Sequence, residues 1–361
     1  MRVDEARRLP RTTDLPAAGS AVLAPMLAPP PDRCECPRLA STGSANMEFR
    51  YLRTFHAIAE LGSLSKAADL LRIGQPALSR QIKLLEHELK TELFLRNGRG
   101  MVLTGAGQVL LERSLSLVRQ IEQVRDDMQS LDKVPSGSVV LGVVPTVSAV
   151  LSARVARRAV AELPGVALRI VESYGGHLVE WLHRGRIDLS IIYGPAVDWH
   201  LDVETLGRDE LVAVGPKGSG LAERAPLDLA WLIGQKLALP SHSHGLRMLV
   251  EKAAARKKLS VDVVVEADSF RVLTNIVEEG IGYTILPPSA IHAELRMGRL
   301  EIAAFAPPSI TREVVLASAT AKPASIASAA VADLVRAEID ALVREGRWRL
   351  ATAFEARPGR R

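Results

Sequence analysis

Between residues 49 and 89 the apolar positions recur at helical spacing in three groups. They are Phe49, Leu52, Phe55, Ile58 and Ala59; then Leu64, Ala67, Ala68 and Leu71; then Leu78, Ile82, Leu85 and Leu89. Only Arg72, Ile73 and Gly74 separate the second group from the third, the length of a helix-turn-helix turn. Leu93-Phe94-Leu95-Arg96, a Gly-Arg-Gly tip at 98–100 and an alternating segment at 101–104 then predict a two-stranded wing. Thr104 is placed to cap a helix over 105–133, about 43 Å long at roughly 1.5 Å per residue. Its stripe is Leu111, Leu115, Val118, Ile121 or Val124, and Met128. So long a helix beside a small domain needs a partner for that stripe, and a second copy of the chain is the simplest one.

Beyond Pro135-Ser136-Gly137 the texture changes. Short β-branched runs at 139–144, 166–171, 189–193, 211–214, 237–239, 261–265, 283–286 and 314–317 alternate with helical patterns. That alternation predicts an α/β domain of two sub-domains. The expected fold class is therefore α/β overall, with an N-terminal winged helix-turn-helix at 47–105, a linker helix at 106–134 and a C-terminal domain at 137–346. Residues 1–46 are rich in Pro, Ala, Arg and Ser, hold no sustained period and are expected to carry no packed structure, either as a disordered extension or because translation starts at Met47. The end, 347–361, is expected to be a flexible basic tail.

Charge sharpens this division. The net charge of +5 is unevenly placed, with +3 over 47–105, −2 over 134–345 and +4 over 346–361. A basic small segment beside a slightly acidic large one points to an anionic partner for the former and something else for the latter. The two cysteines, Cys34 and Cys36, can neither staple a fold nor complete a zinc site. With no apolar run long enough to span a membrane, the expectation is a cytosolic protein without metal or cofactor.

The third helix carries the most pointed chemistry. With Leu78, Ile82, Leu85 and Leu89 inward, Pro76, Ser79, Arg80, Lys83 and His87 share the opposite face. Short polar donors near the N-terminus and cations further along suit a helix whose first turns reach base edges while Arg80 and Lys83 meet bases or phosphates. On an isolated helix this would be a solvated face. Two neighbouring features argue otherwise: Ser63, Ser65 and Lys66 open the preceding helix, where hydroxyls and amides hold phosphate, and Arg96, Asn97 and Arg99 stand on a wing tip placed for a neighbouring minor groove. Enzyme signatures are missing. Ser63-Leu64-Ser65-Lys66 matches Ser-x-x-Lys without its companion motifs, and no P-loop, dinucleotide fingerprint or nucleophile elbow is present.

Phe55-x3-Ala59-Glu60-x-Gly62-Ser63, Ala67-Ala68-x2-Leu71, Gln75-Pro76-Ala77-Leu78-Ser79-Arg80-Gln81-Ile82, Leu85-Glu86, Leu93-Phe94-x-Arg96 and Leu103-Thr104-x-Ala106-Gly107 follow one another without a gap. In these residues, and in the layout to about residue 345, the chain resembles a LysR-type transcriptional regulator. The stretch from Val171 to Leu189 resembles the nitrogen-assimilation-control branch. The resemblance implies that the helix from Gln75 recognises DNA, that Gln75, Pro76, Ser79 and Arg80 face it with Ala77 among them, and that Arg99 enters the minor groove. It further implies a periplasmic-binding-protein-like co-inducer domain with crossover strands at 211–214 and 314–317. Sub-domain I would be 137–207 with 311–346, and sub-domain II 208–310. The implied partners are an imperfect inverted repeat in double-stranded DNA, RNA polymerase and further copies of the chain, as a homodimer or a tetramer on bent DNA. Two departures stand out: Gly74 replaces a frequent Ser cap, and Leu95 a frequent charge.

For the effector, strand ends followed by helix starts are the places to look. Pro145-Thr146-Val147-Ser148 offers two hydroxyls and free amides to an anion, so Thr146 and Ser148 are candidates. On the other half, Ser241, His242 and Arg247 follow a strand, Tyr193 ends one near the hinge, and Ser269 stands at a helix cap that also borders the cleft. His242 and His244 lack further ligands at metal spacing. A plain solute-binding protein would not need the basic helix-turn-helix. A nucleoid-associated binder without sequence preference would show no effector response.

Overall fold

The computed structural model describes residues 47–98, 100–129, 134–194, 200–320 and 324–351. Expectations for residues 1–46, Arg99 and residues 130–133 and 352–361 lie outside that set.

Three helices open the chain: α1 (Phe49–Leu61), α2 (Leu64–Leu71) and α3 (Gln75–Leu89). Gly62 ends α1 in a left-handed conformation, its N–H donating to the Ile58 carbonyl, while the Ser63 side chain caps α2 by accepting from the Lys66 amide. Phe55, Ile58, Ala67, Leu78, Ile82, Leu85 and Leu93 are buried together, with the Phe55 and Phe94 rings 5.2 Å apart. Leu89 departs from the expected inward set. It is the last residue of its helix, 36% exposed.

The wing is the antiparallel pair β1 (Phe94–Asn97) and β2 (Gly100–Leu103). Glu86 on α3 fastens it by accepting from the Leu93 and Phe94 amides at 2.8 and 3.3 Å. The linker helix α4 (Gly105–Gln129) starts from Thr104, whose hydroxyl oxygen accepts from the Gly107 amide at 3.0 Å. A Cβ on Gly107 would collide with the Leu93 carbonyl oxygen, so glycine allows the helix to pass this close to the wing.

The α/β part runs β3 (Gly137–Val143), α5 (Pro145–Glu162), β4 (Val166–Glu172), α6 (Gly175–His183), β5 (Leu189–Gly194), β6 (Leu201–Pro216), α7 (Leu229–Ile233), β7 (Leu237–Leu239), α8 (Gly245–Arg256) and β8 (Val263–Glu266). It continues through α9 (Phe270–Glu278), β9 (Thr284–Leu286), α10 (His292–Arg296), β10 (Leu300–Ala304), β11 (Ile310–Ala319), α11 (Ile326–Arg344) and β12 (Leu350–Ala351). The strand order is β10-β6-β11-β5-β3-β4, with β9 and β12 also on β6 and a separate β7–β8 pair. Pairing of β3 with β4 and β5 is parallel, as crossover helices require, whereas β11 is antiparallel to both neighbours.

One apolar core contains Val139–Leu206 positions together with Val314–Leu350 positions, and another contains Leu211–Ile310 positions. Strands β6 and β11 are the members that pass from one core into the other, paired side by side from Leu201↔Ala319 to Leu211↔Ile310. Strand β6 is far longer than its apolar run at 211–214, because Asp202, Glu204, Arg208 and Glu210 interrupt the pattern where the strand is held by its partner. The expected flexible tail needs correction at its start. Trp348 is 1% exposed, and β12 pairs Leu350↔Asp209 and Ala351↔Arg208, so apolar Trp348 and Leu350 tie this segment into the first core.

Candidate DNA-binding face and effector cleft

Helix α3 buries Leu78, Ile82 and Leu85 and exposes Gln75, Pro76, Ala77, Arg80 and Lys83, with Ser79 half-buried at their edge. Ser65 and Lys66 are exposed at the start of α2, and Arg96 and Asn97 on the wing. Gly74 caps α3 without a side-chain bond, and its carbonyl accepts from the Ala77 and Leu78 amides at 2.9 and 3.1 Å. Ser63 has a structural duty, since its hydroxyl oxygen is the α2 cap. Buried Thr54 donates to the Gln81 side chain at 2.5 Å, locking α1 against α3 from behind. Arg99 lies outside the described residues. Glu86 and Thr104 hold the wing. The sequence signals Thr104 as the cap of the linker helix, and Glu86 only through the motif that contains it.

Linker helix α4 divides its apolar residues between two sides. Val118 is buried and Leu111 and Leu115 half-buried against the chain's own body, whereas Leu117, Ile121, Val124 and Met128 are 44–61% exposed. The exposed set is spaced 4-3-4, the pattern of a coiled-coil seam.

Thr146, at the start of α5, shares a 2.6 Å hydrogen bond with the Tyr193 hydroxyl and accepts from Arg312 at 3.3 Å. The Arg312 guanidinium carbon lies 3.5 Å from the centre of the Tyr193 ring and one of its nitrogens is 3.1 Å from Asp209. The Trp348 indole N–H donates to the other Asp209 oxygen at 3.1 Å. This network sits where β6 and β11 cross between the cores. Burial raises the Asp209 pKa, opposed by Arg312 and by the indole, and burial likewise pushes the Tyr193 hydroxyl upward. Across from it, the Tyr174 and His244 rings meet edge to face at 5.6 Å, joining the start of α6 to the start of α8. His244 is held below its ordinary pKa by burial, with Asp268 opposing and Arg312 adding to the effect.

The other expected effector residues separate into two groups. Ser241 joins the site but is engaged, its amide and hydroxyl both donating to Asp268 at 2.9 and 2.7 Å, and these bonds hold the Asp268 carboxyl below its usual range. Ser148 bonds Ser152 along α5, and Ser269 stands at the α9 cap without a side-chain bond. Arg247 is 2% exposed and committed to Glu251 at 2.7 Å, to Glu266 and to the Pro240 carbonyl, which gives it a structural role. His242 is exposed beside Glu251 at 3.0 Å. Asp209, Arg312 and Trp348 of this network, and His244 beside Tyr174, were not among the residues expected from the sequence to meet an effector. Asp209 and Arg312 each stand beside another charged residue just outside the apolar runs of β6 and β11, so the sequence pattern did not set them apart.

Among the described residues no three His, Cys, Asp or Glu side chains cluster as metal ligands, and no helix is long and apolar enough to cross a membrane.

Comparison with known proteins agrees with this geometry. Residues 49–108 match the family of bacterial regulatory helix-turn-helix proteins of the lysR type, and residues 132–340 match the LysR substrate binding domain. The nitrogen assimilation regulatory protein nac of Escherichia coli K12 is 31% identical over 245 residues, 68% of this chain and 79% of that protein. The HTH-type transcriptional regulator BbuR of Bordetella bronchiseptica is 29% identical over 297 residues, covering 82% and 91%. Among solved structures, full-length CbnR in complex with its target DNA superposes with a TM-score of 0.61 at 19% identity, covering 81% of this chain and 99% of that one. A full-length OxyR variant from Pseudomonas aeruginosa gives 0.64 at 23%, covering 81% and 97%, and both likenesses concern the fold.

Proposed function

Because the chain belongs to the LysR family of DNA-binding transcriptional regulators, we propose that it reads an imperfect inverted repeat as a dimer and answers to a small organic anion bound between its two α/β cores. Helix α3 enters the major groove. Gln75, Ser79 and Arg80 contact base edges, and Lys66, Lys83 and Arg99 meet phosphates or the neighbouring minor groove. The exposed seam of α4 pairs with the same seam of a second copy. That sets two α3 helices about one DNA turn apart, which is why the site is a repeat. Two such dimers form a tetramer on bent DNA, and the regulator works with RNA polymerase in the cytoplasm.

The observation that carries the effector half of this reading is the Thr146–Tyr193–Arg312–Asp209 network. A buried cation beside two hydroxyls at a helix start, on the strands that link the cores, gives an anionic ligand donors to meet. A ligand that takes Arg312 and Thr146 alters the pose of one core relative to the other, and it acts only through its different affinity for the two poses. The heads follow through α4, changing half-site spacing and bend.

Selection of duplexes from a random pool by the full chain tests the DNA half. Enrichment of a two-armed repeat is expected; enrichment without any base preference would favour an architectural binder. For the effector half, Thr146→Val is expected to keep duplex binding and lose any response to organic acids. An unaltered response in that variant would remove Thr146 from the site.

A further inference from the structure

The cleft between the two α/β cores holds polar atoms that its internal bonds leave unused, and they differ in kind from one wall to the other. On the wall built by α5, β5 and β11 the unused atoms are donors. The Thr146 and Tyr193 hydroxyls have two protons and share one hydrogen bond, and Thr146 already accepts from Arg312, so one hydroxyl proton is left over whichever of the two donates. Arg312 is 6% exposed, and Asp209 offsets its charge by accepting from Nε and Nη2 at 3.4 and 3.1 Å. What the guanidinium still offers is therefore geometry rather than charge. Its Nη1, turned away from the edge that faces Asp209, has no hydrogen bond among the described residues.

His244 heads α8 on the facing wall. Its Nδ1 accepts from the Leu246 amide at 3.1 Å, so the ring proton sits on Nε2, which has no partner among the described residues. Burial, with Asp268 opposing and Arg312 adding, holds the ring below its ordinary pKa of 6.5, and it stays a neutral donor near neutral pH. The same wall also carries an acceptor. Asp268 takes the Ser241 amide and hydroxyl on Oδ1, at 2.9 and 2.7 Å, while its Oδ2 has no partner among the described residues. These bonds hold its carboxyl below the usual range, hence ionised. Across the gap, where the Tyr174 and His244 rings meet at 5.6 Å, the Tyr174 hydroxyl is pushed up by burial and then by the Asp268 and Glu172 charges. The field there is negative. A simple organic acid satisfies the donors and leaves this carboxylate facing nothing it can use. Because Arg312 and Asp268 both act on His244, the two kinds of group lie within the length of one small ligand.

We propose that the effector of this cleft is an α-amino acid, its carboxylate taking Arg312 Nη1, the spare hydroxyl proton and His244 Nε2–H, and its ammonium lying by Asp268 Oδ2 and the Tyr174 hydroxyl. This rests on the reading that an effector meets Thr146 and Arg312, and adds to it a positive group on the ligand. Thr146 and Tyr174 stand on elements of one core and His244 and Asp268 on elements of the other, so the two ends of the amino acid join the halves. Asp268 is exposed, and its pull on an ammonium decides which ligand is preferred more than how tightly it is held.

Thermal melting of the full chain with each of the common L-amino acids, and with benzoate and succinate as acids without an ammonium, is the first step. Calorimetry then compares the amino acid that binds with the 2-hydroxy acid of the same side chain, which replaces the ammonium by a hydroxyl. The amino acid is expected to bind about tenfold tighter than the hydroxy acid. Asp268→Asn, which keeps an acceptor for Ser241, is expected to weaken the amino acid alone and bring the two within about threefold of each other. Thr146→Val is expected to weaken both. A hydroxy acid that binds as well as the amino acid, or a preference that survives unchanged in Asp268→Asn, overturns the proposal and leaves the Thr146–Arg312 reading standing. So does Thr146-dependent binding of benzoate or succinate by a chain that no amino acid stabilises. Binding that ignores Thr146→Val, or no binding by any of these compounds, overturns both. Should Asp268→Asn unfold, the comparison of amino acid with hydroxy acid in the parent chain decides by itself.

Discussion

Arg80 and Leu78 are two residues apart on α3 and have opposite duties: one is wholly buried and holds the helix in place, the other is exposed and free to read DNA. Arg80→Ala should leave the melting temperature nearly unchanged and cost about 1–3 kcal/mol of binding to the cognate duplex, roughly 5- to 150-fold. Duplex titration at several salt concentrations checks this, and unchanged affinity would take Arg80 out of the interface. His56 makes a different prediction. Its pKa falls from 6.5 in the open chain to about 4 in the fold, so the stability that its neutral form brings is present above about 6.5 and is lost as the pH falls toward 4. His56→Gln, which keeps a donor for Ser114, should therefore show a smaller drop in melting temperature from pH 7 to pH 5 than the parent chain. At this scale the recognition surface was legible, because an exposed face is the complement of a periodic apolar one. The Thr146–Tyr193–Arg312–Asp209 network was less so. Thr146 and Tyr193 followed from their places at a helix start and a strand end, but Asp209, Arg312 and Trp348 meet only through pairing of β6, β11 and β12 across more than 100 residues of chain.

At the scale of elements, the wing and α4 form one device, since Thr104, Gly107 and Leu93 join strand, cap and helix within one contact set. Gly107→Ala should cost about 1–3 kcal/mol of stability through overpacking. Denaturant unfolding reads the loss, and an unaltered midpoint would mean that the wing shifts freely. The stripe of α4 was legible as a stripe but not as two. Period alone cannot tell Leu115 and Val118, which serve the chain's own body, from Leu117, Ile121, Val124 and Met128, which stay exposed. Charges in the exposed seam, as in Ile121→Glu with Val124→Glu, should turn a dimer into a folded monomer in sedimentation analysis and weaken binding to the two-armed site. A dimer that persists in this double variant would place the interface elsewhere. Strand β6 was recognised only in its apolar part, because its polar half is specified by pairing with β11, and pairing leaves no period of its own.

For the whole molecule, the described residues pack into three cores: one presents α3, and the other two meet at the crossing of β6 and β11. The division was visible in the change from helical periods to β-branched runs near residue 137, and in the placement of charge. The chemical identity of the proposed effector was not visible, since the candidate cleft is formed by segments from distant parts of the chain and its polar groups are mutually paired at Thr146, Tyr193, Arg312 and Asp209. The claim that joins these scales is that a ligand between the two α/β cores alters how the heads sit on DNA. Footprinting of the full chain on the DNA just upstream of its own coding region, with and without a panel of small organic acids, tests it most directly. A protected inverted repeat whose extent or bend changes with one acid, and does not change in Thr146→Val, is the predicted result. Protection that ignores both sequence and every acid would contradict the account.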